Sequence, residues 1–180
     1  MKKSFLILFF LLYSFSFAQT SGDTIKGSIN VKFLNTLVLE VCNKKALDSL
    51  IPNKKTNDVT RKCAEYQSSY LSNFRPPKEK FHDNQYSYRN IFLPSLSDRV
   101  SEFNKPKSLI GSSSEICSFI VVKYGKTTYG ELANYIIDKF IKSPSHASAI
   151  FTSYPYGDFS CTEGIWEGQK GVYVTGVFSR

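Results

Sequence analysis

Residues 128–146 read TYGELANYIIDKFIKSPSH, and this stretch decides the fold. Thr128 and Glu131 stand at the Ser/Thr-x-x-Glu spacing of a capping box, in which side chain and backbone at a helix start satisfy each other's hydrogen bonds. Leu132, Tyr135, Ile136 and Phe140 follow at helical spacing and predict one apolar face. The helix must stop near Lys142, because the ring of Pro144 disfavours helical geometry at Ser143. Ser145 is the predicted cap of a new short turn that carries His146 at its start.

Downstream the period changes from helical to alternating. Residues 158–162 and 172–178 read as two strands of an antiparallel hairpin, with a glycine-containing turn over 163–171. Upstream, the β-branched run 116–122 reads as a short buried strand closed by Gly125. Before it, residues 73–97 carry Pro76, Pro77 and Pro94 with no sustained period, which predicts a long irregular surface connection. Earlier still, Leu34, Leu37, Val38, Val41 and Cys42 predict an amphipathic helix over about 30–49. Val59, Cys63, Tyr66, Tyr70 and Leu71 predict a second over about 57–72, with Asn57 as its cap. Helices, a loop, a helix and then strands make an α+β fold in which helices cover a small antiparallel sheet.

The amino terminus has the form of an export signal. Lys2 and Lys3 precede an apolar run over 5–17, and Ser16-Phe17-Ala18 offers small residues at the two positions a signal peptidase inspects, so residues 1–18 are the expected signal peptide. The apolar run is short of the roughly 20 residues that cross a bilayer, and no second apolar stretch of spanning length occurs before Arg180. Cleavage leaves 162 of the 180 residues and, without Lys2 and Lys3, lowers the net charge from +8 to +6. That length suits one domain, residues 30–180, with 19–29 as an N-terminal linker. The charges are scattered with no long basic tract among aromatic residues, which gives no nucleic-acid footprint. Cys42, Cys63, Cys117 and Cys161 permit two disulfides in any of three pairings, while Cys42 and Cys63 fall on apolar helix faces where a free thiol acts as a small hydrophobe.

The chain has only two histidines, His82 in the irregular connection and His146 after the third helix, with Glu115 near the midpoint between them. Two imidazoles and a carboxylate are a credible set for a zinc-like ion that keeps positions open for water. Ser143-Pro144-Ser145-His146, following an amphipathic helix, resembles the S-P-G-H segment of the bacterial CAP superfamily, the group of cysteine-rich secretory proteins, antigen 5 and plant pathogenesis-related 1 proteins. Leu96-Ser97-Asp98-Arg99-Val100 resembles its D-R-[IV] segment, and Ser114-Glu115-Ile116-Cys117 sits where it has G-E-N-[IVL]. Asn43 resembles the Asn of its first helix, with Ala46 in place of the usual Arg, and Phe81-His82-Asp83 resembles its Phe-Ser-His, given an insertion before Asp98.

The resemblance spans about residues 34–178 and implies a three-layer α/β/α sandwich with a cleft where His82, Glu115 and His146 converge. It implies zinc or another divalent metal as the cofactor, on three protein ligands at most, since Ser143 stands where many eukaryotic members have a second acidic residue. The function it implies is a secreted or periplasmic, non-catalytic binding module for a lipid, an envelope component or a protein. The alternative is a secreted metal-assisted hydrolase of peptides, esters or phosphodiesters, with Glu115 as base or orienting group. Neither Ser145 nor Ser114 lies in a nucleophile elbow, so a serine triad is not indicated. A third reading makes the loop 75–89, with Arg75, Tyr86, Tyr88 and Arg89, a partner-binding surface.

Overall fold

In the computed structural model, which describes residues 19–105 and 111–180, Asn30 caps the first helix, α1 (Val31–Asp48), its Oδ1 accepting the N–H of Phe33 at 3.2 Å. The expected signal peptide, residues 1–18, lies outside the described residues. Leu34, Val38, Cys42 and Ala46 are the buried stripe of α1, while Leu37 and Val41 pack at its margin. Asn57 caps α2 (Asp58–Phe74) by accepting from Val59 N–H at 2.8 Å, as its sequence position predicts. The helix ends where Arg75 turns left-handed at φ 50°.

The connection that follows is less irregular than expected. A 3₁₀ turn occupies Lys78–Lys80, and Tyr88 pairs with Ile91 around Arg89 and Asn90, both at positive φ. Its last residues open α3 (Leu96–Phe103), a helix hidden by its shortness but announced by a capping box between Ser95 and Asp98.

After β1 (Ser113–Val121), the capping box of Thr128 and Glu131 starts α4 (Tyr129–Ile141) as the sequence predicts, with Leu132, Ile136 and Phe140 buried and Tyr135 outside. The predicted short turn is a full helix, α5 (Pro144–Phe151). Ser143, not Ser145, holds its N-cap position, because Pro144 at N1 has no N–H to satisfy and a φ already suited to a helix. β2 (Tyr156–Trp166) and β3 (Gln169–Ser179) then form the hairpin. Its strands are far longer than predicted and turn within two residues, Glu167 and Gly168, both at positive φ. The glycines at 164 and 171 that suggested a wide turn lie opposite each other within the ladder.

The sheet is antiparallel in the order β1-β3-β2, so β3 is central and β1 is an edge. Alternation along the strands sorts two faces. Val172, Val174 and Phe178 of β3, with Ile116 and Ile120 of β1, pack under α1, α4 and α5. Tyr173 and Val177 of β3, with Cys117 and Phe119 of β1, pack under α2 and the long connection. Residues 171–179 are buried throughout, as a strand covered on both faces must be. The α+β, three-layer reading is therefore borne out.

Two expectations change. Residues 24–29, assigned to a linker, belong to the packed unit: Ile25 and Ile29 are buried with α1 and α4, and Ile29 N–H donates to Glu163 Oε1 at 3.0 Å. The disulfides that an even cysteine count permits are not formed. All four cysteines are free and buried across the separate cores, where burial raises the Cys42 thiol to about 11 and that of Cys63 to about 12.

Candidate functional site

The edge strand β1 is where residues from both layers meet. Glu115, its third residue, shares by alternation the face of Cys117 and Phe119, and its side chain is only 3% exposed. A carboxylate so far from water needs compensation. Arg99, from α3 and fully buried, supplies it through Nη2 to Glu115 Oε2 at 2.7 Å. The other oxygen, Oε1, lies 3.1 Å from His82 Nδ1. Opposite a carboxylate oxygen that ring nitrogen is the donor, and in the neutral imidazole Nε2 is then the acceptor.

His82 is held by its neighbours rather than by its own packing, its side chain being 47% exposed. Phe81 is buried under α2, and its carbonyl accepts from Gln67 Nε2 at 2.6 Å. Asn84 is buried too, with its backbone N–H on Pro94 O and its Nδ2 on Leu93 O. The imidazole thus projects from a loop pinned on both sides.

His146 comes from the opposite layer as the third residue of α5, edge-on to Phe140 at 5.2 Å between ring centres. Burial, and secondarily the charge of His82, hold its pKa below the usual 6.5. The two imidazoles thus lie within electrostatic reach of each other. A base with a folded pKa below its unfolded one favours the fold in its neutral form, so the contribution is complete above pH 6.5 and is lost as pH falls through that value toward the folded pKa. We expect His146→Phe to flatten the decline in stability below pH 6.5, measured by denaturant midpoints between pH 7.5 and 4.5. An unchanged decline would assign the pH dependence to other groups.

Of the residues proposed from sequence, His82 and Glu115 are in direct contact, whereas His146 stands outside the tightest donor cluster. That cluster consists of His82, Glu115 and Cys117, whose ligand atoms lie within 4.8 Å of one another. Cys117 is poorly disposed to ligate: burial, then the Glu115 charge, hold its thiol well above the ordinary value, and its sulfur lies 3.5 Å from Thr175 Oγ1. Arg99 is the residue of this cluster that spacing in the sequence does not single out. Its segment was noticed, but only the fold shows that it backs a carboxylate 16 positions away.

No family model matches the chain, and no curated protein matches it. Solved structures that share its fold include the following two. An outer surface protein from Borrelia burgdorferi superposes with a TM-score of 0.59 at 13% identity, covering 87% of this chain and 99% of that one. An extracellular protein containing a SCP domain, from Bacillus anthracis, gives a TM-score of 0.53 at 11% identity over 86% of this chain. This chain spans 45% of that protein's length.

Proposed function

We propose that the chain is an exported, SCP-like binding module whose edge site takes one divalent ion, zinc or a similar metal, on His82 and His146. Glu115, first assigned as a ligand, is in this reading the group that orients His82. The observation that carries it is the 3.1 Å contact between His82 Nδ1 and Glu115, backed by Arg99. A carboxylate that fixes one ring nitrogen and turns the other outward is the usual support behind a metal-binding histidine. His146, kept neutral at pH 7 by its burial, offers the second lone pair. A bound ion would supply a Lewis acid with positions open to an oxygen donor of the partner, be it a lipid, an envelope component or a protein.

The same geometry counts against the form of hydrolysis in which Glu115 is the general base. Both oxygens of Glu115 are engaged, one by Arg99 and one by His82, so this carboxylate is not free to act as a general base. Export is supported by the pattern of residues 1–18 and by the surface and extracellular descriptions of two proteins that share the fold.

Zinc at a hundred times its dissociation constant stabilises a folded state that alone binds it by about 2.7 kcal/mol, which is roughly 5–10 °C in Tm for a chain of this size. We expect such a shift in the intact protein and its loss in His146→Ala. No shift at millimolar zinc would refute the metal reading.

A further inference from the structure

A groove lies farther along the same edge strand. Phe119 is four residues beyond Glu115 on β1, about 13 Å at strand rise, and the groove, of about 630 Å³, opens there between β1, α4 and the tip of the hairpin. Its apolar wall includes Val121, Leu132, Tyr135 and Trp166. Two of these are well exposed, Val121 at 45% and Tyr135 at 57%.

The cations in this groove are unusually placed. Lys78 Nζ stands 4.5 Å from the centre of the Trp166 ring. Lys139, half-buried on α4, donates from Nζ to the carbonyl of Phe119 at 2.9 Å. Neither ammonium has a carboxylate within ion-pair distance among the described residues. Burial and the neighbouring charge of Lys78 lower the pKa of Lys139, so the two repel across the groove. Lys123 adds a third positive charge. The acidic group in the lining, Glu131, is engaged by the N–H and hydroxyl of Thr128 as the cap of α4. The groove thus holds a surplus of positive charge beside aromatic surface.

We propose that this groove binds a small aromatic anion, a carboxylate, sulfonate or phosphate carried on a flat ring, with the acid between Lys78 and Lys139 and the ring against Tyr135 and Trp166. An anion there removes the lysine repulsion and gains charge-assisted hydrogen bonds, while the ring covers exposed apolar surface. The site is separate from the histidines and does not depend on a metal.

Trp166, the one tryptophan of the chain, reports on it directly. The experiment is a titration of the intact protein at pH 7 with 1-anilinonaphthalene-8-sulfonate, exciting Trp166 and following energy transfer to the probe. We expect saturable binding of one molecule, weakened about 10-fold or more by Lys139→Met and by high salt, as charge-assisted contacts require. The neutral N-phenyl-1-naphthylamine should bind correspondingly less well. Absence of saturable binding, equal affinity for the neutral probe, or binding undisturbed by Lys139→Met each overturns the proposal. Thermal melts establish that the variant is folded, and Lys78→Gln, at an exposed position, decides the matter if Lys139→Met is not.

Discussion

Replacing Arg99 with leucine is expected to destabilise the fold by about 3–5 kcal/mol, the cost of leaving a buried carboxylate without its counter-ion. Arg99 is fully buried and Glu115 nearly so, and they meet at 2.7 Å. Without the guanidinium, Glu115 would keep only its hydrogen bond to the partly exposed His82, and the cavity left by the long side chain adds to the loss. The double variant Arg99→Leu/Glu115→Leu should recover much of the stability, because it removes both charges at once. Urea unfolding of the two variants beside the parent measures this. If the single and double variants lose the same amount, the charge pair is not what holds α3 to β1.

Gly176→Val should cost about 3 kcal/mol, at the upper end of overpacking effects in a closed core. Gly176 is in the central strand, opposite Ile116 on one side and Phe159 on the other. A Cβ there would stand 2.6 Å from Phe159 Cε1 and 3.0 Å from Ile116 Cγ1. The Phe159 ring has little room to move, since it is buried and packed edge-on to Phe178 at 5.6 Å. A thermal melt that leaves Tm within a degree or two of the parent would contradict this view of the core.

Elements whose signals are local were legible in the sequence. The capping box at Thr128, the stop before Pro144 and the Asn57 cap each depend on a few neighbouring residues, and each was read correctly. The hairpin was recognised but its length was not. Gly164 and Gly171 read as turn residues, whereas they face each other so that the Tyr173 ring and the Ile120 carbonyl can come close. The residues that carry β3 on toward the turn, Gln169 and Lys170, are exposed and polar, so no apolar pattern marks them as strand. α3 was missed although Ser95 and Asp98 carry a cap signal, because eight residues give a helical period little room to show itself.

The candidate site divides the same way. His82, Glu115 and His146 were chosen by type and by a resemblance in chain order, and the fold puts the first two in contact. Arg99 could not be found from spacing, since its role exists only once α3 packs on β1. Cys117 is drawn into the donor cluster by strand alternation from Glu115, two residues away, yet its burial sets it apart chemically.

The central claim concerns two imidazoles in a chain that has no others. Long-range ¹H–¹⁵N correlation spectra of the intact protein at pH 7 report both rings directly. Before zinc is added, His82 should show the tautomer protonated at Nδ1, as its contact with Glu115 requires. One equivalent of zinc should then move the unprotonated nitrogen of His82 and a nitrogen of His146 together, with no further change beyond that equivalent. Spectra in which zinc leaves both rings unmoved, or moves one without the other, would contradict the account.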